Sequence, residues 1–347
     1  MILSTILCTS IFTTTVLATN APISDDSVVE NNAQTKEIQL LRHNMETKTT
    51  EISTFVYNPN SKSNIVSLPA KAPTNFAKNN TSSDTKSTSF SPVERLTGSD
   101  VMPAVGNLVI YFDTNRDNIY DVAYDQHAYA TASLQGPDLL ITAAHCVWSK
   151  YLSDTSSNGW GYGGVFYAGR TSESSYITAA NVVWLSVSNS YVENTGIVTD
   201  EDGQPIGDEP YGQQDWAILH LDRNLSNECG YLGLHGCGKA EIGQQFNLVG
   251  YPTQMNGSSS EYQQWKSIGT ATSIDKNIMK YNAFAYNGFS GGPVMDDYGL
   301  VYMIQSHVYN NAYNQPVWND AAAIRFDDWL FELIVKEREA SNARWAN

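Results

Sequence analysis

A chain of 347 residues with 41% hydrophobic and 11% aromatic content can bury one large core or two small ones. Its formal net charge is −16, and residues 1–95 carry eight basic and eight acidic residues, so the acidic excess falls entirely after Arg95. A surface of that sign repels phosphate backbones, which argues against a nucleic-acid partner and for a solvated acidic exterior.

The N-terminal stretch MILSTILCTSIFTTTVLATNA, residues 1–21, is an apolar, Thr-rich run closing on small residues. It has the pattern of a secretory signal cut near Ala18 or Ala21, although no Lys or Arg precedes it. The run is too short and interrupted to span a bilayer, and no later segment qualifies. The sequence therefore predicts export and no membrane partner. Asn-x-Ser/Thr sites at Asn79, Asn80, Asn224 and Asn256 fit a secreted chain.

Residues 22–95 are rich in Ser, Thr, Asn and Lys and read as a propeptide or disordered segment. The composition breaks at Arg95–Leu96, the expected point of cleavage. Short β-prone runs follow: NLVIYF, AYATASL, DLLITAA, GGVFYAG, NVVWLSV, DWAILHL, QFNLVGY, MKYNAFA and GLVYMIQ. Punctuated by Gly, Asn and Pro, they predict an all-β barrel or sandwich over 96–347. In RFDDWLFELIVKERE, Phe326, Trp329, Leu330, Leu333 and Ile334 recur at helical spacing, giving one amphipathic C-terminal helix.

Of four cysteines, Cys8 would leave with the signal. Cys229 and Cys237 bracket GYLGLHG, a span that one disulfide closes in an oxidising compartment, and Cys146 stays unpaired. No Cys/His cluster suggests zinc, and no cofactor or metal is implied. DTNRDNIYD, from Asp113 to Asp121, begins like a calcium loop, but Asn118 replaces the turn glycine and Tyr124 the bidentate glutamate. It reads as a polar hairpin turn. The acidic TDEDGQPIGDEPYG reads as a solvated surface loop. His127, His220 and His235 have no partner that the sequence names.

Three stretches carry chemistry. LLITAAHCVWS puts His145 after a β-prone run, with small residues that leave its ring uncrowded. GQQDWAILHL puts Asp215 at the head of an alternating strand. GFSGGP sets Ser290 among glycines. Each alone has an ordinary structural reading. Together they supply what acyl transfer by serine needs: a base, an acid group to orient it, and backbone N–H donors for the oxyanion. Glycine at 288 leaves the Gly288 and Ser290 amides free to point into one hole. The Gly-x-Ser-x-Gly elbow of α/β-hydrolases is a competing reading, but it needs a helix after the serine and then an acid and a histidine. Here Gly-Gly-Pro and a strand follow, and the only later histidine is His307.

The ordered set TAAHC, QDWAIL and GFSGGPV resembles the chymotrypsin-like serine proteases, most of all their V8-type, glutamyl-endopeptidase-like branch. FNLVGYP, WKSIGTATSIDKNIMKYN and NQPVWNDAAAI extend the resemblance over about residues 100–335. It implies two packed antiparallel six-stranded β-barrels with a C-terminal α-helix. It also implies a monomeric secreted endopeptidase acting on polypeptides through an acyl-enzyme, with the N-terminal segment as a candidate intramolecular partner. His145 would be general base, Asp215 its orienting carboxylate and Ser290 the nucleophile, with Gly288 and Ser290 as the oxyanion hole.

The departures matter as well. Phe289 stands where trypsin-like enzymes have the aspartate of their activation switch. The usual partner of Cys146 would fall near Ala130, so that disulfide is missing. The candidate substrate pocket comprises Phe284, Ala285, Gln305 and His307, the last two expected on one strand face. With Phe284 at the pocket base, cleavage after Lys or Arg is not expected, and a preference for Glu stays open. A catalytically silent binding module and an esterase using the same triad are the rival readings.

Overall fold

The computed structural model describes residues 34–60, 67–73, 93–115, 117, 119, 121, 125–153, 158–200, 202–236, 240–255, 258–308 and 321–346. The signal segment, Cys237, Asn118 and Tyr124 lie outside the described residues.

The N-terminal segment departs from the sequence expectation. Strands β1 (Lys36–Asn44) and β2 (Thr49–Tyr57) form a hairpin in what the composition marked as loose chain. Asn44 Oδ1 accepts from the Glu46 and Thr47 N–H groups, closing the turn. Ile38, Leu40, Phe55 and Tyr57 are buried, so the hairpin shares the core.

The first barrel is built from β3 (Val105–Phe112), β4 (Gln126–Leu134), β5 (Leu139–Thr142), β6 (Gly163–Ala168), β7 (Thr178–Ser188) and β8 (Ala217–Leu221). Their order is β8-β5-β4-β3-β6-β7, and a β7–β8 pairing closes the ring. Every residue of β5 is buried, which is why it reads as a continuous apolar run. Leu40–Asn44 of β1 pairs with Trp184–Ser188 of β7, covering an edge that would otherwise be open.

The second barrel comprises β9 (Gln245–Gly250), β10 (Trp265–Asp275), β11 (Ile278–Tyr281), β12 (Pro293–Met295), β13 (Leu300–Val308) and β14 (Ala321–Arg325). The order is β12-β9-β10-β11-β14-β13, closed by β12–β13. Ser67–Leu68 pairs with Leu234 and His235, and Val93–Arg95 pairs with β10, so the N-terminal segment touches this sheet too. Arg95 lies opposite Trp265, and Leu96 is buried with its N–H on the Gln264 carbonyl. The expected cleavage bond is thus built into the fold.

Helix α1 (Asp328–Arg344) starts at Asp327, whose side chain accepts from Leu330 N–H at 3.0 Å. It buries Trp329, Leu330, Leu333 and Ile334 as the spacing predicts, and continues past Ile334 to Arg344. The extension crosses back to the first barrel, where Ser341 and Arg344 hold the buried Asp138 and Glu337 meets His220. Burial pushes the Asp138 pKa up, but hydrogen bonds from His220, Ser341 and Trp345 bring it down to about 2.

Cys146 and Cys229 are buried and have no disulfide partner among the described residues, and the partner expected for Cys229 lies outside them. Asp113, Asp117 and Asp125 bring carboxylate oxygens within 4.8 Å of one another. Asp125 accepts from the N–H groups of Thr114, Asn115 and Asp121, which is the bonding of a hairpin turn. The acidic stretch is more structured than a solvated loop. Gly196–Thr199 pairs with Pro205–Glu209, and the half-buried Asp208 accepts from Tyr151 N–H.

Candidate active site

The register between β5 and β8 sets the first contact. Ala217 pairs with Thr142 and Ile218 with Ile141. Asp215, just before β8, and His145, just after β5, therefore leave the same end of the sheet together. Ala143 and Ala144 are fully buried, small enough for the chain to turn against the sheet. His145 N–H donates to Asp215 Oδ1 at 2.9 Å, and His145 Nδ1 lies 2.8 Å from Asp215 Oδ2. An ionised carboxylate only accepts, so Nδ1 carries the proton and Nε2 is left bare. Burial opposes charge on both groups, and their mutual attraction outweighs it. The His145 pKa is raised well above the usual imidazole range and Asp215 is held below the usual carboxylate range.

A further donor reaches Asp215 from the second barrel. Ser306 Oγ donates to Asp215 Oδ2 at 2.5 Å. Ser306 is the extra residue of a bulge, since Gln305 pairs with Ala323 and His307 with Ala322. That bulge breaks the alternation that would have put Gln305 and His307 on one face. The two side chains part. His307 Nδ1 lies 2.9 Å from Ser306 Oγ, and a Cβ added at Gly212 would lie 3.4 Å from the His307 ring. With the Ser306 proton on Asp215, His307 donates through Nδ1–H. Burial lowers its pKa to about 4, partly offset by Asp215, so the ring is neutral at ordinary pH. Gln305 instead accepts from the Tyr281 hydroxyl and donates to the His307 carbonyl. Phe284, Ala285, Tyr281 and Gln305 are all buried in the second barrel.

Ser290 lies in the turn between β11 and β12. Gly288 and Gly291 have φ of +94° and +80°, which L side chains rarely adopt. Space forbids side chains there as well: a Cβ at Gly291 would meet Thr142 Oγ1 at 1.9 Å, and one at Gly288 would meet the Tyr251 carbonyl at 2.3 Å. Phe289, between them, is fully buried and anchors the turn. Ser290 Oγ lies 3.4 Å from the Ser306 carbonyl, and no hydrogen bond to His145 forms among the described residues.

Most N–H groups of the turn are spent. Phe289 N–H donates to Tyr286, Gly291 N–H to Gln305 and Gly292 N–H to Phe289. Gly288 N–H and Ser290 N–H have no acceptor among the described residues. A peptide's N–H points opposite its C=O, so the carbonyls fix both free donors. The Asn287 carbonyl accepts from Thr253 N–H at 2.7 Å, and the Phe289 carbonyl from Gly292 N–H at 2.8 Å.

The structure thus brings His145 and Asp215 into direct contact and places Ser290 against the residue that braces Asp215. Sequence reasoning missed Ser306, Thr253 and Thr131. A serine or threonine in a strand carries no signal of its own, and the Ser306 bulge arises only from pairing with β14.

Residues 130–302 match the profile of the trypsin-like peptidase domain. Among solved structures, a Glu endopeptidase in complex with MPD is 19% identical, with a TM-score of 0.52 over 71% of this chain and 96% of the other. The protease Anisep from Arthrobacter nicotinovorans is 14% identical, with a TM-score of 0.47 over 69% of this chain and 96% of that one. The thermostable serine protease AL20 from an extremophilic microorganism is 15% identical, with a TM-score of 0.47 over 70% and 98%. The motif order, the paired six-stranded barrels and the matched domain agree: residues 130–302 form a trypsin-like peptidase domain, and the protein is a serine endopeptidase of chymotrypsin-like fold.

Proposed function

We propose that the chain is a secreted endopeptidase whose nucleophile is Ser290, with His145 as general base and Asp215 as its orienting carboxylate. His145 Nε2 takes the Ser290 hydroxyl proton as Oγ attacks the peptide carbonyl. The Gly288 and Ser290 N–H groups receive the oxyanion, and the protonated ring returns its proton to the leaving amine. Water then repeats the sequence on the acyl-enzyme. The observation that carries this reading is the buried Asp215 carboxylate, which fixes the His145 tautomer and leaves Nε2 as acceptor. Export rests on the N-terminal apolar run.

Before the scissile bond, the reading favours an uncharged side chain. Phe284, Ala285, Gln305 and Tyr281 bring no formal charge, and Gln305 and Tyr281 already satisfy one another. That leaves nothing to compensate a Lys or Arg in the pocket.

Purified wild type should react covalently with a fluorophosphonate and cleave a peptide library. Ser290→Ala should do neither while keeping its unfolding midpoint. A folded Ser290→Ala protein that still turned over peptides would remove the mechanism, and digestion of the library chiefly after Lys or Arg would remove the pocket assignment.

A further inference from the structure

Thr131 lies on β4, in the first barrel, and is fully buried. Its polar groups nevertheless point across the boundary into the second barrel. Thr131 Oγ1 donates to the Gly288 carbonyl at 2.7 Å and accepts from Tyr251 N–H at 2.9 Å. Thr131 N–H donates to the Ser290 carbonyl at 2.9 Å. Its own carbonyl accepts from Thr142 Oγ1 at 2.7 Å, tying it to the strand that ends near His145. One residue therefore grips the carbonyls on both sides of Phe289–Ser290.

We infer that Thr131 is a positioning residue of the oxyanion hole, a clamp through which the first barrel holds the Gly288–Ser290 backbone in place while the Thr253 and Gly292 bonds orient its two free N–H donors. This rests on the peptidase reading above. The Gly288–Phe289 and Ser290–Gly291 peptides flank the peptide that carries the Ser290 N–H. Gly288 and Gly291, each at positive φ, are the outer residues of those flanking peptides, and with no side chains they leave the flanking peptides sterically free to turn. Thr131 holds the carbonyl of both flanking peptides, so neither can turn, and the Cα atoms of Phe289 and Ser290 that carry the central peptide cannot shift, without breaking a buried hydrogen bond. No other side chain among the described residues bonds to either carbonyl. The contact admits no extra bulk: a Cβ at Gly250 would meet Thr131 Oγ1 at 2.7 Å, and one at Gly291 would meet the Thr131 carbonyl at 2.2 Å.

Full-length Thr131→Val and Thr131→Ser test the clamp. Valine keeps the shape and removes the hydroxyl, whereas serine keeps the hydroxyl and removes the methyl. Thr131→Val should lower kcat by about 10- to 100-fold with KM within about twofold, because the hole acts on the transition state. A peptide-aldehyde inhibitor, which forms a tetrahedral adduct, should weaken by a similar factor, while a product peptide binds as before. Thr131→Ser should stay within about threefold of wild type in kcat. The clamp is overturned by a folded Thr131→Val with wild-type kcat, or by a loss confined to KM. A tenfold or greater loss in Thr131→Ser also overturns it, whether or not the valine variant folds. An inert wild type would overturn the peptidase reading and the clamp together; an active wild type beside an unaffected Thr131→Val overturns the clamp alone.

Discussion

At the scale of single residues, the site turns on how one buried carboxylate is satisfied. Asp215 is fully buried and accepts from His145 N–H, His145 Nδ1–H and Ser306 Oγ–H. Such bonding keeps the ion stable without water and binds the imidazolium more tightly than the neutral ring. The sign for activity follows. A base works only when unprotonated, and the His145 pKa is raised above 6.5. Hydrolysis should therefore fall away on acidification at a higher pH than a free imidazole would dictate. The acid limb of kcat/KM in wild type should have its midpoint above 6.5, and a midpoint at or below that value would contradict the pairing. Asp215→Asn, which removes the charge, should cost about 10³-fold or more in kcat. The contact of His145 with Asp215 was legible beside small Ala143 and Ala144, and the Ser290 turn was legible in Gly288 and Gly291. Ser306 and Thr131 were not, because a hydroxyl's role depends on what folding brings within 3 Å.

Among the elements, the N-terminal hairpin is the least expected. Its strands carry Lys36, Glu37, Gln39, Thr49, Thr50, Glu51 and Thr54 on exposed positions, and these hid the buried Ile38, Leu40, Phe55 and Tyr57. The same masking applies to β10, whose outer half is polar and exposed, and β14 opens on three alanines that by themselves favour helix. The hairpin is fastened at several points. Arg42 pairs with Glu337, Lys36 lies over Trp329, Lys336 lies over Phe55, and His43 stacks on Trp160 with ring centroids 5.1 Å apart. His43 is buried, and burial with the nearby Lys48 lowers its pKa to about 4. The unfolded chain then takes up a proton near pH 6.5 that the folded one refuses until about 4. The contribution of His43 is complete above 6.5 and is lost as pH falls toward 4, by on the order of 3 kcal/mol. A His43→Phe variant keeps the stack without the proton. Its unfolding midpoint should gain on wild type as the buffer moves from pH 7 to 4, and a difference that does not change with pH would refute the assignment.

For the whole molecule, both ends of the chain cross between the barrels. The N-terminal segment adds a hairpin to the first barrel and short pairings to the second, while α1 leaves the second barrel and fastens onto Asp138 and His220 of the first. The hairpin is held by a ladder and a shared core, not by its covalent tether. A chain carrying a site for an exogenous protease between Pro73 and Val93 should, once cut, still elute as one particle and separate into two fragments only in denaturant. Separate elution of the N-terminal fragment under native conditions would show the ladder to be too weak. The paired barrels and the meeting of His145 with Asp215 could be anticipated from the motifs. The crossing segments could not, because their partners lie far away in sequence.

The position of Thr131 also bears on biosynthesis. A nascent chain makes β4 long before the turn that holds Ser290, and all six strands of the first barrel precede those of the second. Until the two meet, the Gly288 and Ser290 carbonyls lack their holder and Asp215 lacks Ser306. On the proposed mechanism, half-made or unassembled chains should therefore be inert, and the order of assembly itself would shield the cell that synthesises the protein from its hydrolysis.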